Sequence, residues 1–354
     1  MLEKALDRKR ISPEDALKLF NIEDKYVDAL FAVADYLRYQ EKGDYVTYVL
    51  NRNINFTNIC TVQCKFCAYH EKDFHSPEAF FLSTEQFMKK IREAKKIGAT
   101  EICIQGGIAP NLEINFYKNL ILNIKKEFPE IHIHGFSPFE IFMASKNSNL
   151  TIKEAIKILK EAGLDSIPGT AAEILVDAIR KVICENKLSV SDWVKVIKEA
   201  HHLSIPTTST ILYGHVESYQ DRVEHLRIIR EIQDETGGFT EFVPLAFINL
   251  NNSLNLKSSR NKGLDDLKLI AIARIFLDNI PNIQVSWVKL GVELAQKGLK
   301  CGANDFGGTL MEENISRRAG ATNGQYLSEN KIRKTIIDVD KIPIQRNTIY
   351  EILK

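Results

Sequence analysis

The sequence predicts a (β/α)8 TIM-type barrel, preceded by helices and followed by a C-terminal tail that caps the barrel. Short apolar runs typical of buried strands alternate with amphipathic helical patterns over roughly 250 residues, the usual length of this fold. Eight such runs occur, which is the number of strands that closes the barrel. An open doubly wound sheet is the alternative, because strand ends are the least certain feature of such patterns. The predicted strands are Ile54–Thr57, Glu101–Gln105, Ile131–Gly135, Asp165–Ile167, Thr207–Leu212, Thr240–Phe247, Gln284–Trp287 and Cys301–Asp305.

The chain of 354 residues is predicted to have three parts. Residues 1–50 form an N-terminal helical segment, 51–308 the barrel and 309–354 a tail that packs on the barrel. Ser12 and Pro13 mark a helix start, since serine caps a helix N-terminus and proline suits the first turn. Helical patterns then extend to about Val49. The tail is polar, as expected for a segment that covers one end of the barrel.

Helix boundaries within the barrel segment are marked by capping residues. Ser83 and Thr151 each stand three residues before Gln86 and Glu154, the spacing of a capping box. The helix before the sixth strand is predicted to end at Gly237, since glycine readily adopts the left-handed conformation of a helix end. The segments directly after the strands are therefore loops, and active sites of such barrels lie there.

Composition and charge bear on several function classes. The chain has 47 basic and 46 acidic side chains and a net charge of +1, so it has no overall attraction for nucleic acid or an anionic membrane. No apolar run approaches the roughly 18 residues of a membrane span, and the charged N-terminus lacks an apolar signal core. A cytoplasmic location, where thiols stay reduced, is expected.

Six cysteines divide into two groups. Cys103, Cys184 and Cys301 are isolated among apolar or small neighbours and are predicted to be small buried side chains. The other three lie in CTVQCKFCAYH, residues 60–70, and such a cluster in a reduced compartment indicates metal or redox chemistry. Their spacing also fits a buried helical stripe, a zinc site completed by His70, or a [4Fe–4S] cluster with three thiolate ligands and one open iron.

The spacing C-x3-C-x2-C after the first strand resembles the signature of radical S-adenosylmethionine (SAM) enzymes. The resemblance implies that Cys60, Cys64 and Cys67 hold a [4Fe–4S] cluster whose open iron binds SAM. It also implies that the reduced cluster passes one electron to SAM, which gives methionine and a 5′-deoxyadenosyl radical. The cofactor then supplies the difficult chemistry, and the protein supplies binding and orientation.

Further positions match the radical SAM pattern. An aromatic residue precedes the third cysteine, a Gly-Gly pair follows the second strand, and LYGHVE after the fifth strand resembles an element that borders the adenine. Ile108 follows the glycines where many members have glutamate, so the SAM amine needs another partner. A simple turn is the alternative explanation of the glycine pair. By this resemblance the cofactor-binding residues are Phe66, Tyr69, Gly106, Gly107, Glu173, Leu212 and Glu217.

A narrower resemblance joins six segments between Asn53 and Gly320. NINFTNICTVQCKFCAY, IQGGIAP, HGFSPFEI, AGLDSIPGTAAEIL, TTSTILYGHVES and GGTLMEENISRRAG look like the enzymes of deazaflavin synthesis and of the futalosine route to menaquinone. PGTAAE and TTSTILYGH are most similar to the tyrosine-using transferases of FO (coenzyme F-420) biosynthesis. Cyclic dehypoxanthinyl futalosine synthases tend towards PGGGAE and stay as an alternative. A non-catalytic zinc or iron–sulfur binding protein is the alternative from another class.

The transferase resemblance implies a reaction and its partners. The radical takes hydrogen from the amine of L-tyrosine, the Cα–Cβ bond breaks, and the 4-hydroxybenzyl unit joins C5 of 5-amino-6-(D-ribitylamino)uracil. The amino-acid remnant leaves as 2-iminoacetate. The expected partners are the two substrates, a low-potential electron donor and the second radical SAM subunit of FO synthase.

Polar residues after the third, fourth and fifth strands and in the tail are the remaining candidates. Glu140 and Glu173 have the alternative of a helix first turn, where acids suit the dipole, and Thr170 that of an N-cap. The histidines have the alternative of structural hydrogen bonding, and the tail residues that of a solvated segment instead of a lid over the barrel. The catalytic candidates are His134, Glu140, Tyr213 and His215, and the substrate-binding candidates are Ser137, Thr170, Glu312 and Asn314.

Overall fold

Parallel strand pairing runs in a closed ring through the computed structural model, which describes residues 1–254, 256 and 263–353. All pairs between the named strands are parallel, as expected when helices connect them. The strands are β1 (Tyr45–Val49), β2 (Asn51–Asn55), β3 (Glu101–Gln105), β4 (His132–Gly135), β5 (Thr207–Tyr213), β6 (Phe239–Ala246), β7 (Asp305–Gly308) and β8 (Ile342–Gln345).

The ring has eight positions, which confirms the predicted barrel. β1 runs into β2 through Leu50 alone, so the two form one bent strand that pairs with β7 at one end and β3 at the other. The fourth and seventh positions are short extended segments instead of full strands. Four single-residue bridges join these segments to their neighbours: His134–Ser166, Ile167–Thr207, Phe242–Ile283 and Gln284–Asp305.

Helices surround the ring, and the predicted caps are confirmed. The Ser12, Ser83 and Thr151 side chains all accept a hydrogen bond from a backbone N–H three residues on, and Gly237 ends its helix at φ 64°. No helix of the described residues has the length and apolar character needed to cross a membrane. The helices are α1 (Leu2–Leu6), α2 (Pro13–Phe20), α3 (Val27–Lys42), α4 (Thr84–Lys96), α5 (Ile114–Glu127), α6 (Pro138–Asn147), α7 (Ile152–Ala162), α8 (Asp177–Ile183), α9 (Val190–His202), α10 (Tyr219–Thr236), α11 (Leu264–Phe276), α12 (Trp287–Leu290), α13 (Val292–Gly298), α14 (Asn314–Arg318) and α15 (Glu329–Ile337), with a 3₁₀ turn at Asp24–Tyr26.

Two sequence predictions about strands are wrong. The N-terminal helical pattern does not continue to Val49, because Gly43 ends α3 at φ 58° and the sequence YVTYV then forms β1. Aromatic and β-branched residues favour a pleated, buried surface. The eighth strand was predicted too early, since residues around Gly302 form a turn at φ 109° and the strand begins at Asp305.

The C-terminal tail closes the end of the barrel where the strands begin. β8 adds to the free side of β1, next to the first residues of that strand. The buried guanidinium of Arg346 then donates to both carboxylate oxygens of Asp305, the first residue of β7. The Thr348 hydroxyl donates to Glu101, the first residue of β3. The predicted capping of the barrel by its tail is therefore confirmed, and the opposite end is left for a site.

Candidate functional site

A cavity of about 400 Å³ lies inside the barrel and at the ends of its strands. This volume is in the range of small-molecule sites. Side chains reach it by strand alternation: Glu101, Cys103 and Gln105 of β3 line it, whereas Ile102 and Ile104 between them are buried on the other face. The interior is therefore partly polar, unlike the bulky apolar filling usual in these barrels.

The three clustered cysteines lie in one irregular loop that borders the cavity. Cys60, Cys64 and Cys67 are all free thiols, and all three line the cavity. The segment contains no helix, so the alternative of a buried helical stripe is wrong. Backbone N–H groups anchor the loop: Thr61 donates to the Ile108 carbonyl at 3.0 Å and Lys65 to the Ile183 carbonyl at 2.9 Å. Burial raises the pKa of the Cys64 thiol.

The Gly106-Gly107 pair lines the cavity and supports the cysteine loop from behind. A Cβ at Gly107 would lie 2.2 Å from the Ile59 carbonyl oxygen, and one at Gly106 would lie 2.4 Å from the Phe56 ring. Neither distance is possible for real atoms, so both positions require glycine in this backbone arrangement. The close approach that the glycines permit is thus to the protein's own chain, just before the first cysteine.

The donor set fits an iron–sulfur cluster better than zinc. Within the described part of the chain, no three His, Cys, Asp or Glu side chains are arranged to hold one metal ion. His70, the fourth ligand in the zinc alternative, places Nδ1 2.9 Å from the Cys67 carbonyl oxygen instead. Three soft thiols on one loop are the ligand type of iron–sulfur clusters. Metal binding commonly completes the geometry of such a loop, because the preformed site rarely exists without the metal.

Two polar groups at the cavity are buried and have no hydrogen-bond partner among the described residues. They are the Tyr69 hydroxyl and the Ser316 hydroxyl, and both residues line the cavity. Burial also raises the pKa of Tyr69, so its hydroxyl keeps its proton. Buried polar groups are normally hydrogen-bonded, and an exception needs an explanation. Two unpaired hydroxyls around one cavity are what a site for a polar ligand provides.

Glu173 and Lys187 form an ion pair at the cavity wall. The Lys187 ammonium donates to the Glu173 carboxylate and lies 5.5 Å from the centre of the Phe66 ring. Burial acts to lower the pKa of Lys187, but the neighbouring Glu173 charge raises it overall. Glu173 has φ 47° in a loop, so the alternative of a helix first turn is wrong. Phe66, the predicted adenine neighbour, therefore lies beside a buried cation.

Three polar candidates after the third and fourth strands line the cavity. His134 Nδ1 lies 2.6 Å from the Ser166 hydroxyl, and burial lowers the pKa of His134 to about 4, so it is neutral. The Ser137 hydroxyl donates to Glu140. The Thr170 hydroxyl donates to the Gln105 side chain at 3.2 Å, and no helix begins there, so Thr170 is not an N-cap. Their positions permit contact with a ligand.

Glu140 lies behind the cavity wall, where its position does not fit the predicted catalytic role. Its carboxylate accepts hydrogen bonds from the Gly106 amide at 3.0 Å and from the Ser137 amide and hydroxyl. It is fully buried and absent from the cavity lining. Burial raises its pKa to about 7, although the hydrogen bonds from those donors act to lower it. Glu140 thus closes the capping box of α6 and holds the first glycine of the pair.

Three candidates after the fifth strand also lie outside the cavity. The Tyr213 hydroxyl donates to Asp266 at 2.6 Å, on the outer face of β5. His215 lies between the Leu212 carbonyl and the Glu217 carboxylate, and burial lowers its pKa. Glu217 accepts from the Gly214 and His215 amides and pairs with Arg222. Among the predicted site residues of this segment, only Leu212 lines the cavity. The positions of Tyr213, His215 and Glu217 therefore do not fit direct contact with a ligand in the cavity.

The tail segment after β7 covers the cavity, but not with the predicted residues. Glu312 pairs with Arg52 and Lys90 away from the cavity, and Asn314 accepts from Gln325. The residue between them, Glu313, lines the cavity and accepts from the Asn53 amide group at 2.9 Å. Leu310, Ile315, Ser316 and Ala319 line it as well. The lid is thus present, whereas substrate contacts by Glu312 and Asn314 do not fit.

Two lysines at the cavity were missed from the sequence. Lys187 lies between α8 and α9, where no motif marks it. Lys289 follows the seventh strand position, in α12, and its place after a barrel strand was a signal that could have found it. Both line the cavity, opposite in sign to the acidic Glu173 and Glu313.

Comparisons with known families agree with this geometry. Residues 54–229 match the radical SAM superfamily, and residues 236–354 match the CofH/MqnC C-terminal region. The chain is 51% identical over 356 residues to the 5-amino-6-(D-ribitylamino)uracil–L-tyrosine 4-hydroxyphenyl transferase of Methanocaldococcus jannaschii, with 98% of each chain covered. The protein of the same name from Methanococcoides burtonii is 49% identical over 347 residues, which cover 96% of this chain and 95% of that protein.

Two solved structures share the fold of this chain. Methylornithine synthase (PylB) superposes with a TM-score of 0.75 at 17% identity, over 97% of this chain and 96% of that chain. HydG, a maturase of the [FeFe]-hydrogenase, also reaches 0.75 at 17% identity, over 97% of this chain and 75% of that chain. At these identities the likeness is evidence for the fold alone.

Proposed function

The chain belongs to the radical SAM superfamily and, within it, to the family of 5-amino-6-(D-ribitylamino)uracil–L-tyrosine 4-hydroxyphenyl transferases, and from this premise we propose its reaction. The enzyme joins the 4-hydroxybenzyl group of L-tyrosine to 5-amino-6-(D-ribitylamino)uracil and releases 2-iminoacetate, in the synthesis of the deazaflavin FO. The observation that carries the proposal is one cavity bordered both by the three-cysteine loop and by the loop PGTAAE.

Cys60, Cys64 and Cys67 hold the [4Fe–4S] cluster in this proposal. With SAM bound, such a cluster would supply the 5′-deoxyadenosyl radical that starts the reaction. Phe66, Tyr69, Gly106, Gly107 and Leu212 line the cavity next to these cysteines and form the cofactor side. The unpaired Tyr69 hydroxyl and the ion-paired Glu173 offer polar contacts there.

The substrate side is formed in this proposal by His134, Ser137 and Thr170, which line the same cavity. These residues lie at or after the ends of the third and fourth strands and carry hydrogen-bonding groups that suit the uracil edge and the ribityl hydroxyls. The neutral state of His134 allows it to donate or accept. The tail segment from Leu310 to Ala319 excludes water from the reacting groups, which protects a reactive radical from side reactions.

A low-potential electron donor and the second radical SAM subunit of FO synthase are the partners of this function. The first reduces the cluster, and the second consumes the benzylated uracil by closing the deazaflavin ring. The reduced thiols that the cluster requires fit a cytoplasmic location.

The reconstituted reaction tests the proposal. Anaerobic protein loaded with iron and sulfide is given SAM, a reductant, tyrosine and the ribitylaminouracil, and products are followed by mass spectrometry. We expect 5′-deoxyadenosine together with the hydroxybenzylated uracil. The futalosine alternative is offered in parallel as dehypoxanthinyl futalosine, and turnover of that compound instead would reject the transferase.

Tyr213→Phe separates a structural from a catalytic role of this tyrosine. The variant removes a buried hydrogen bond to Asp266, so the free energy of unfolding should fall by about 1–3 kcal/mol. Formation of the uracil adduct per folded enzyme should stay near the wild-type rate, because the hydroxyl lies outside the cavity. Chemical denaturation and product analysis measure the two effects. A lost reaction in a variant of unchanged stability would restore Tyr213 as a catalytic residue.

A further inference from the structure

Lys289 presents an unneutralised charge to the cavity. Its side chain lines the cavity, and among the described residues its ammonium has no ion pair and no hydrogen bond. Burial lowers its pKa, while the nearby carboxylate of Glu313 raises it. Removing a cation from water is costly unless a partner compensates. An anion bound beside this ammonium would therefore be stabilised.

The other cationic side chains at the cavity already have partners. Lys187 is paired with Glu173. Arg346 is paired with Asp305 and approaches Glu241 at 3.7 Å, at the end closed by the tail. Glu313 is the neighbouring charge that most raises the pKa of Lys289. Its carboxylate already accepts hydrogen bonds from the Asn53 side chain and the Ser316 amide. Among the lysines and arginines of the described cavity lining, Lys289 is therefore the one whose charge is available to an incoming anion.

We infer that Lys289 binds the α-carboxylate of the amino-acid substrate. The inference rests on the proposed function and adds to it the residue that selects an amino acid. The ribitylaminouracil has no carboxylate or phosphate. The carboxylate of SAM goes to the open iron in the proposed cofactor arrangement. The carboxylate of tyrosine is the substrate anion without a partner, and a charge-assisted hydrogen bond to an ammonium suits it.

This placement orients tyrosine between the two sides of the cavity. Lys289 lies after the seventh strand position and lines the same cavity as Glu173 and Cys67. A carboxylate held there keeps the neighbouring amine of tyrosine towards the cofactor side. The phenol end then extends away from Lys289. Binding energy at the carboxylate is used to align the bond that breaks.

Equilibrium binding to the anaerobic, cluster-loaded protein tests the inference. Tyrosine and tyramine, which lacks the carboxylate, are compared on wild type, Lys289→Met and Lys289→Arg. We expect Lys289→Met to weaken tyrosine binding about 10- to 100-fold and to leave tyramine binding unchanged. Lys289→Arg should restore most of the affinity, since it keeps the positive charge. SAM binding should be the same in all three proteins.

Other outcomes overturn the inference in distinguishable ways. Equal weakening of tyrosine and tyramine in Lys289→Met indicates a general structural loss, and unchanged tyrosine affinity rejects the contact. Weakened SAM binding alone assigns Lys289 to the cofactor. If the methionine variant does not fold, wild type and Lys289→Arg are each tested with both ligands. Tyramine binding as tight as tyrosine binding in these two proteins rejects the carboxylate contact. Wild type that binds no tyrosine contradicts the proposed function as well, whereas wild type that forms the uracil adduct leaves it intact.

Discussion

Cys64→Ala is expected to abolish cluster binding and every reaction that depends on it. Cys64 is the most buried of the three thiols in the loop and lies between the other two in sequence. With two ligands left, the cluster has no stable attachment. Reconstituted wild type should hold roughly four irons per chain, and the variant should fall to the level of unreconstituted protein. Production of 5′-deoxyadenosine from SAM should stop with it.

Cys184→Ala is the matched control for this result. Cys184 is buried and is absent from the cavity lining. The variant should keep its iron and its SAM cleavage and lose only a little stability, because a small apolar contact is removed. Loss of the cluster in Cys184→Ala would indicate a fourth protein ligand and would contradict an iron open to SAM.

Gly107→Ala is expected to displace the cysteine loop. Its new Cβ would lie 2.2 Å from the Ile59 carbonyl oxygen and 2.8 Å from the carbonyl carbon. Both atoms belong to the backbone, so no side chain can rotate away. Overpacking of this kind costs about 1–3 kcal/mol or more. The free energy of unfolding and the iron content after reconstitution should both fall, and SAM cleavage should fall in proportion to iron.

Gly135→Ala provides the comparison within the same barrel. Gly135 ends β4, and a Cβ there meets its nearest neighbour, Ile104, at 3.4 Å, an ordinary contact. This variant should fold, load iron and cleave SAM like wild type. A Gly107→Ala protein indistinguishable from Gly135→Ala in melting and iron content would mean that the loop has another position available.

The cysteine loop was predictable because its information is local. Three thiols within eight residues indicate metal or redox chemistry without any information from the rest of the chain. In the same way, the capping boxes at Ser83 and Thr151 indicate where two helices begin. The barrel followed from the alternation of strands and helices. Relatives that are 51% identical in sequence to this chain confirm the family that these motifs indicated.

The sequence does not predict which side chains of the fifth strand face the barrel interior. All seven residues of β5 are buried, since helices cover one face and the barrel interior the other. A strand buried on both faces has no polar and apolar alternation. The sequence TTSTILY therefore does not say whether Leu212 or Tyr213 points inwards. In the structure Leu212 lines the cavity, whereas Tyr213 lies outside its lining.

The lysines were hidden for a different reason. Lys187 meets the cysteine loop only because α8 returns to it, a contact between segments more than one hundred residues apart in the chain. A single lysine in a polar connection is normally solvated. Glu140 shows the opposite error: its place after the third strand predicted catalysis, whereas the capping box with Ser137 uses its carboxylate.

Transfer of tyrosine carbons to the uracil defines the proposed reaction, and isotopic labelling follows these carbons. Tyrosine carrying ¹³C only in its ring and Cβ is given to the reconstituted enzyme with SAM, reductant and ribitylaminouracil. We expect the uracil product to gain the mass of the labelled hydroxybenzyl group and the released two-carbon imine to stay unlabelled. Unlabelled uracil, or label in the two-carbon fragment, would contradict it.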